Sequence, residues 1–336
     1  MSKHVIIIAE AGVNHNGSIE IAKRLVDEAA RANVDYIKFQ TFKSEGVVTK
    51  KAEKADYQKA NTGTEENTQL ELIKKLEIPY DGYLEIIDYC KQKGVNFFST
   101  STDPDSIEFL ASLHLGMWKI PSGEVTNYHF LKKIAGYNEE TYFSLGMCDL
   151  EMVREAVKVL LKNGLDKDKL TLLHCNTEYP TPMHDVNLRV MDTLRKEFGV
   201  KVGYSDHTLG IEVPIAAVAM GAYVIEKHFT LDRNMDGPDH KASLEPDELC
   251  EMVRTIRNVE QALGDGVKRI TDSERRNIII ARKSIVASRT IKKGEPLTEE
   301  NLTTKRPGNG MSPMKWNEVV GKTAIKDIEE DEPIEL

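Results

Sequence analysis

The stretch A-Y-V-I-E-K-H-F-T, residues 222–230, predicts a strand buried on both faces, because it is a short β-branched and aromatic run after a glycine. It ends in three ionisable side chains, Glu226, Lys227 and His228. Such side chains are costly to bury unless something binds them. A second predicted strand, residues 200–204, runs directly into His207. Two histidines at neighbouring strand ends, each beside an acid, predict that His207 and His228 hold one metal ion between them.

The rest of the first 264 residues alternates strand-like and helix-like segments. The predicted strands are residues 5–10, 34–40, 95–100, 117–124 with a loop, 141–145, 170–175, 200–204 and 222–230. The predicted helices are residues 19–32, 80–93, 105–113, 150–163, 188–198, 211–221 and 246–263. This α/β pattern predicts a closed parallel (β/α)8 barrel of the TIM type, with a doubly wound open sheet as the alternative.

Three further segments depart from this alternation of strands and helices. Residues 43–71 are polar and too long for an ordinary connection, which predicts a working loop over a site. Residues 265–283 form a predicted charged linker after the predicted barrel domain, residues 1–264. Residues 284–336 contain short strand-like runs broken by turn signals, which predict a small β-rich domain.

Polar residues recur at the predicted strand ends, which meet in one bowl in a barrel. They are Glu10, Lys38, Gln40, Ser99, Thr100, Lys119, Ser122, Glu124, Ser144, Asn176, Thr177, Ser205, His207, Glu226 and His228. Scattered polar residues have no reason to fall at successive strand ends. Their convergence therefore predicts an active site.

Lysines and carboxylates in this bowl have complementary roles. Buried ammonium groups at Lys38 and Lys119 need anionic partners, which favours a phosphate or carboxylate ligand. Pairing with a protein carboxylate such as Glu10 is the alternative. Glu10 and Glu124 are expected to be ionised beside lysines and a metal, which favours proton-accepting or sugar-binding roles. Two imidazoles suit Mn(II), with Zn(II) or Fe(II) as alternatives and Mg(II) a less natural fit.

Composition limits the classes of partner. The chain has 336 residues, 40% of them hydrophobic and 29% charged, as in an ordinary soluble globular protein. Its net charge of -9 argues against nucleic acid or an anionic membrane as the main partner. The four cysteines are far apart and form no C-x-x-C pair, so we expect free thiols. With no signal-peptide or membrane-span pattern, a cytoplasmic location is expected.

Eight motifs together resemble one enzyme family. They are A-E-A-G-V-N-H-N-G (9–17), I-K-F-Q-T (37–41), W-K-I-P-S-G-E (118–124), L-L-H-C-N-T-E-Y-P-T-P (172–182), Y-S-D-H-T (204–208), I-E-K-H-F-T (225–230), G-P-D-H (237–240) and K-R-P-G-N-G (305–310). The chain resembles the bacterial N-acetylneuraminate (sialic acid) synthases, members of the nonulosonate synthases. The resemblance covers nearly the full chain, including a C-terminal antifreeze-like (SAF, β-clip) domain.

The resemblance implies a reaction and its cofactor. Phosphoenolpyruvate would condense with N-acetylmannosamine and water, giving N-acetylneuraminic acid and phosphate with C–O cleavage. A divalent metal, Mn(II) with Mg(II) or Co(II) as alternatives, would be bound by His207 and His228. It would polarise the aldehyde of the open-chain sugar. A domain-swapped homodimer would place Arg306 in the neighbouring subunit's bowl, against the N-acetyl group.

The resemblance also implies roles for individual residues. Those expected to hold phosphoenolpyruvate are Lys38, Lys119, Ser122 and Ser144, with Thr100, Asn176 and Thr177 near its phosphate and Ser205 in the same substrate-binding set. Those expected to face the sugar are Gln40, Glu124, Tyr179 and Asp239. Glu10 is expected beside the aldehyde. Two places depart from the family pattern beside the expected phosphate pocket: Ser101 with Thr102, and Leu145.

Three alternatives stay open on the sequence alone. A synthase of legionaminic or pseudaminic acid would use the same catalytic residues with a diacetamido-trideoxy hexose. A metal-dependent sugar aldolase would use pyruvate itself and release no phosphate. An ice-binding or carbohydrate-binding module at residues 284–336 is disfavoured, because that segment carries many Lys, Glu and Asp residues.

Overall fold

The computed structural model describes residues 4–62 and 68–336. The chain divides into two compact units, Met1–Asp265 and Gly266–Leu336. Among the helices of the described residues, none is both long and apolar enough to cross a membrane.

Eight parallel strands form the first unit's sheet. They are β1 (Ile6–Gly12), β2 (Tyr36–Thr41), β3 (Asn96–Ser101), β4 (Met117–Ile120), β5 (Glu140–Ser144), β6 (Leu170–His174), β7 (Lys201–Asp206) and β8 (Val224–His228). Their order is β3-β2-β1-β8-β7-β6-β5-β4, and β3 also contacts β4. The predicted (β/α)8 barrel is thereby confirmed, because an open doubly wound sheet would leave β3 and β4 apart.

Helices separate the strands. They are α1 (Ile19–Arg31), α2 (Ser44–Val47), α3 (Asp56–Thr62), α4 (Gln69–Leu76), α5 (Tyr80–Lys93), α6 (Pro104–Ser112), α7 (Tyr128–Tyr137), α8 (Leu150–Lys162), α9 (Val190–Phe198), α10 (Glu212–Ala219) and α11 (Pro246–Leu263). Helix α7 was missing from the sequence prediction. It is a short helix, and its signals are an Asn127 side chain that accepts a hydrogen bond from the Phe130 N–H and a left-handed Asn138 after its end.

Two apolar layers hold the barrel. The larger lies between the strands and the helices and includes Ile7, Phe39 and Ile225. A smaller cluster of inward-facing residues comprises Ile8, Phe98, Tyr142, Leu173 and Val224. Since side chains alternate along a strand, Val224, Glu226 and His228 point to the same side of β8. The apolar cluster therefore lies beneath the polar residues at the strand ends.

The segment predicted to be a working loop contains α2, α3 and α4 instead of continuous loop. Its residues 63–67 lie outside the described part of the chain. Asp56 and Gln69 from this segment line the main cavity described below. The segment therefore contributes to the cavity wall, as the prediction required, through short helices.

The second unit has its own antiparallel pair, β9 (Ser284–Ala287) and β10 (Leu302–Lys305). A separate core of Ile285, Ile291, Leu297 and other buried residues holds it together. Two helices accompany the pair: α12 (Asp272–Ala281) and α13 (Trp316–Val319). Helix α12 lies in the stretch predicted to be a linker, where a capping box formed by Thr271 and Glu274 starts it.

Candidate active site

A cavity of about 560 Å³ lies at the carboxyl ends of the barrel strands. This volume is typical of a small-molecule site. The predicted site residues that line it are Glu10, Lys38, Gln40, Thr100, Lys119, Ser122, Ser144, Thr177, Tyr179, Ser205, His207 and His228. The barrel therefore brings together residues from all eight strands or the loops after them.

Four predicted site residues do not line this main cavity. Asn176 reaches it indirectly, since its backbone carbonyl is hydrogen-bonded to His207 Nδ1. Glu124 is half-buried on a 3-10 turn and accepts a hydrogen bond of 2.6 Å from Asn127. Asp239 lines a smaller neighbouring cavity. Arg306 is exposed in the second unit, and its approach to a neighbouring subunit stays a prediction.

The two cavity lysines pair with protein carboxylates, which is the alternative that the sequence left open, and an anionic ligand stays a prediction. Lys38 Nζ lies 2.7 Å from Glu10 Oε2, and Lys119 Nζ lies 2.9 Å from Glu226 Oε1. All four side chains are at most 4% exposed. Ammonium groups this deeply buried require a counter-charge within the fold itself, because they would otherwise remain uncompensated before any ligand binds.

Glu226 is a site residue to which the sequence interpretation gave no role. It accepts hydrogen bonds from Lys119 and from Ser205 Oγ, the latter at 3.0 Å, and it lies 3.8 Å from Lys38 Nζ. The signal was available, because Glu226 and His228 are two residues apart on a strand and so share a face. Glu226 links the lysines of β2 and β4 to the histidine strands.

Burial affects the pKa values of Glu10 and Glu124, the two carboxylates expected to be ionised, and also that of Glu226. Burial raises the pKa of Glu10 to about 7, an effect that Lys38 only partly opposes. Burial also raises the pKa of Glu124. Burial acts on Glu226 in the same direction, but Lys119 and Lys38 outweigh it and lower the pKa of Glu226 to about 2. Both lysines lie within 3.8 Å of the Glu226 carboxylate, and sequence spacing does not reveal these distances.

Hydroxyl groups surround the lysines. Thr100 Oγ1 accepts a hydrogen bond of 2.8 Å from Lys38 Nζ, and Ser122 Oγ accepts one of 2.9 Å from the Gly146 N–H. A Cβ at Gly146 would lie 2.5 Å from Thr177 Cγ2, so only glycine fits between the two loops. Ser144 Oγ is buried without a hydrogen-bond partner among the described residues, so this hydroxyl remains available to a ligand.

The three departures from the family pattern differ in their access to the main cavity. Leu145 is buried in the large apolar core and does not line the main cavity. Ser101 is also buried, and its hydroxyl has no partner among the described residues. Thr102 does line the main cavity. Of these three positions, Thr102 is therefore the one in a position to touch a ligand there.

The predicted histidine pair is adjacent in the structure. The ring centroids of His207 and His228 are 5.3 Å apart. Tyr179 stacks on His207 at 4.1 Å, and its hydroxyl lies 3.0 Å from His207 Nε2. Burial lowers the pKa of His207 to about 4 and that of His228 well below its usual value. Both imidazoles are therefore neutral near pH 7, and a cation at His207 Nε2 would take the place of the Tyr179 hydroxyl there.

The loop after β1, with the sequence V-N-H-N, fastens the barrel to the segment after β8. Asn14 Nδ2 donates to the Phe229 carbonyl at 2.8 Å and to Ser243 Oγ at 2.9 Å. Asn16 Nδ2 donates to the Asp236 carbonyl at 2.8 Å. These bonds hold the loop beside His228, so much of this motif has a structural role.

His15, in the same loop, is expected to make the protein sensitive to acid. Burial, with a smaller effect from His240, lowers the pKa of His15 from 6.5 to about 3. As pH falls below 6.5, the unfolded chain gains a proton that the folded chain does not. The free energy of unfolding should then fall by about 1.4 kcal/mol per pH unit from this group.

Urea unfolding between about pH 7 and pH 4 checks this expectation. In His15→Asn, whose amide oxygen can still accept from the Gly17 N–H that bonds His15 Nδ1, the slope should be shallower than in the parent protein. Identical slopes would show that His15 does not contribute.

Models of two known protein families match this chain. A model of the NeuB family matches residues 25–268, and a model of the SAF domain matches residues 282–336. The chain belongs to the NeuB family.

Individual relatives of this NeuB-family chain cover it almost completely. It is 51% identical to the N,N'-diacetyllegionaminic acid synthase of Campylobacter jejuni over 99% of both chains. It is 46% identical to the enzyme of the same name from Legionella pneumophila, over 94% of this chain and 89% of that one. The N-acetylneuraminic acid (sialic acid) synthetase of Leptospira borgpetersenii is 33% identical, with a TM-score of 0.71 over 82% of this chain and 91% of that one.

The NeuB-family chain is therefore a phosphoenolpyruvate-dependent nonulosonic acid synthase that condenses phosphoenolpyruvate with a sugar. The predicted synthase activity is confirmed at this level, and so is the SAF domain. Neither the aldolase nor the ice-binding alternative accounts for a family match across the barrel. The sugar named in the sequence prediction, N-acetylmannosamine, is not settled by membership of the family.

Proposed function

We propose that this chain is an N,N'-diacetyllegionaminic acid synthase. It would condense phosphoenolpyruvate with a diacetamido-trideoxy hexose and water, releasing phosphate. The observation that carries the proposal is the 51% identity over 99% of both chains to the Campylobacter jejuni enzyme of that name, against 33% identity to the Leptospira borgpetersenii sialic acid synthetase. This replaces N-acetylmannosamine as the favoured sugar.

Phosphoenolpyruvate is proposed to bind at the lysine side of the main cavity. Lys38 and Lys119 are ammonium donors there, and the Ser144 hydroxyl is buried without a partner among the described residues. Each ammonium group has three N–H donors, so an anion can accept from these lysines while their pairs with Glu10 and Glu226 remain. Ser122, Thr100 and Thr177 supply further polar contacts in the proposed pocket.

In the proposed reaction, the enol carbon of phosphoenolpyruvate attacks the sugar aldehyde and a carbon–carbon bond forms. Water adds to the resulting oxocarbenium carbon, and phosphate leaves with its bridging oxygen. Glu10 lines the main cavity, and its carboxylate accepts a hydrogen bond of 3.2 Å from Gln40 Nε2. Glu10 is proposed to orient the aldehyde end of the sugar and to accept or hold a proton there.

The histidine pair fits a divalent metal such as Mn(II). The contact of His207 Nδ1 with the Asn176 carbonyl fixes a tautomer whose Nε2 carries the lone pair. His228 Nδ1 is buried without a hydrogen-bond partner among the described residues. Within those residues no group of three or more His, Cys, Asp and Glu is placed to hold a metal, so substrate and water oxygens would complete the ligand set. When bound there, the metal would polarise the sugar carbonyl.

Replacing His228 by alanine should weaken Mn(II) binding by more than the roughly 10- to 100-fold typical of losing an outer partner of a ligand. The readout is titration of the protein with Mn(II), followed by the electron paramagnetic resonance of the free ion. His184→Ala, on the surface, is the matched control and should bind Mn(II) as the parent does. Unchanged affinity in both His228→Ala and His207→Ala would place the metal elsewhere.

The homodimer stays a prediction. In it, Arg306 would contact an acetamido group in the neighbouring subunit's cavity. Sedimentation of the full chain, together with the sugar KM of Arg306→Ala, addresses both parts of this prediction.

The proposed function is tested by phosphate release from phosphoenolpyruvate with Mn(II), measured with the diacetamido sugar, with N-acetylmannosamine and with no sugar. Release should require a sugar and should be faster at low concentration with the diacetamido sugar. A larger kcat/KM for N-acetylmannosamine would overturn the choice of sugar. Release without any sugar would contradict the condensation itself.

A further inference from the structure

A second, smaller cavity opens beside the main one. It encloses about 260 Å³, and we call it the side cavity. Four residues line both cavities: Gln40, Gln69, Thr102 and Tyr179. The two cavities are therefore adjacent along these four side chains.

One wall of the side cavity is apolar. Val13, Phe42, Ile73 and Leu76 line it and form a small hydrophobic cluster separate from the barrel core. Val13, Phe42 and Leu76 are each 6% exposed. Apolar side chains that face a cavity lack contacts on one side, so a methyl group placed there gains both burial and dispersion contacts.

The side cavity also has a hydrogen-bond acceptor. Asp239 is 7% exposed, and no hydrogen bond or ion pair to its carboxylate is found among the described residues. Burial raises the pKa of Asp239 to about 6. A buried carboxylate without a donor is costly, so this group is suited to a ligand that brings an N–H or O–H.

A matching donor lies in the same cavity. Gln58 is 8% exposed, and its Oε1 accepts a hydrogen bond of 2.9 Å from the Ala55 N–H. This bond orients the amide so that its NH2 group is left to donate. Among the described residues no acceptor for that NH2 group is found.

An acetamido group has one N–H donor, one carbonyl acceptor and one methyl group. The side cavity offers the complement of each: the Asp239 carboxylate, the Gln58 amide and the apolar wall. We propose that the side cavity binds the far end of the sugar, with the polar atoms of its second acetamido group between Asp239 and Gln58 and with the methyl of that group and the 6-methyl group on the apolar wall. This inference rests on the proposed function.

The order of groups along the two cavities supports this direction. Tyr179 stacks on His207 and also lines the side cavity. Gln40 donates to Glu10 and likewise lines both cavities. A sugar whose aldehyde carbon lies beside the histidines therefore passes Tyr179 and Gln40 before its far end reaches the side cavity. N-acetylmannosamine carries a hydroxyl and a hydroxymethyl group at that end, which leave the apolar wall unfilled or in contact with a polar group.

The test is the ratio of kcat/KM for the diacetamido sugar to kcat/KM for N-acetylmannosamine. Gln58→Met removes the donor at nearly constant volume, and Val13→Thr replaces a methyl group of the apolar wall by a hydroxyl. In each variant the ratio should fall by about 10-fold or more, the scale of one misplaced methyl-sized contact. The KM for phosphoenolpyruvate should not change. Gln261→Met and Val159→Thr, on α11 and α8, are matched controls and should keep the parent ratio.

The possible outcomes separate the two proposals. If the parent enzyme prefers N-acetylmannosamine, the proposed function is overturned. If the parent prefers the diacetamido sugar but both variants lose activity equally toward the two sugars, the side cavity does not read the far end and only this inference fails. Should Gln58→Met not fold, Val13→Thr alone decides, since threonine and valine have nearly the same shape.

Discussion

Replacing Lys119 by methionine is expected to lower kcat/KM for phosphoenolpyruvate by about 10²- to 10³-fold, the scale of removing one preorganised charge-stabilising donor. Lys119 lines the main cavity, as do Ser122 and Ser144. Its removal takes away a cation from the proposed anion pocket. Steady-state phosphate release at saturating sugar measures the effect, and the sugar KM should change much less.

A matched pair of variants separates substrate binding from folding. Lys119→Met leaves Glu226 with Lys38 at 3.8 Å as its remaining cation, which destabilises the fold. Lys119→Met with Glu226→Gln removes both charges and should restore stability without restoring activity. Lys132→Met makes the same substitution at an exposed position of α7 and is the control, which should keep the parent stability and kcat/KM. If the double variant regains the parent kcat/KM for phosphoenolpyruvate, Lys119 does not bind the anion.

Replacing Lys227 by methionine is expected to lower the free energy of unfolding by about 3–5 kcal/mol, as for other buried ion pairs that lose one partner. Lys227 Nζ lies 2.6 Å from Asp206 Oδ2, and both side chains are fully buried. Lys227 also donates to the Thr208 carbonyl, and Asp206 accepts from the Thr208 N–H and hydroxyl. Urea unfolding measures the loss.

The second charge of this pair provides the control. Asp206→Asn combined with Lys227→Met leaves no uncompensated charge, so most of the lost stability should return. Arg254→Met breaks an exposed pair on α11 and should leave the unfolding midpoint nearly unchanged. A Lys227→Met protein as stable as the parent would mean that Asp206 is compensated by another group.

The Asp206–Lys227 pair also has a geometric consequence. The two residues are register partners on β7 and β8, one position before His207 and one position before His228. Their ion pair lies on the opposite side of the strands from the two histidines, because side chains alternate. The pair therefore joins the strand ends that carry the proposed metal ligands.

The barrel was predictable because its strands are short apolar runs and because clear start and stop residues bound several of its helices. Residues 80–93 and 246–263 were predicted with the same limits that the structure shows, since Gly94 and Gly264 follow those helices. Helix α7 was not predicted, because its apolar repeat is short and Asn caps it at both ends in place of Gly. Helix α12 was not predicted because it lies in a charged stretch, although the capping-box residues Thr271 and Glu274 mark its start.

The site was predictable as a set of strand ends and less so as a set of pairs. Sequence spacing indicates which face a side chain takes, and it placed His207 and His228 together. It does not give distances across the barrel, so the pairing of Lys38 with Glu10 and of Lys119 with Glu226 required the structure. Gln58 had no signal at all, because it lies in a segment without apolar periodicity. The choice of sugar came from the relatives and not from any motif.

The most direct test of the account is a competition in one tube. Equal concentrations of the diacetamido-trideoxy hexose and N-acetylmannosamine are supplied with limiting phosphoenolpyruvate and Mn(II), and the two nonulosonic acids are quantified by mass spectrometry. Their ratio equals the ratio of the two kcat/KM values. The account predicts that the N,N'-diacetyl product exceeds N-acetylneuraminic acid by about 10- to 200-fold or more, the scale at which a pocket discriminates a methyl-sized group. An excess of N-acetylneuraminic acid would contradict it.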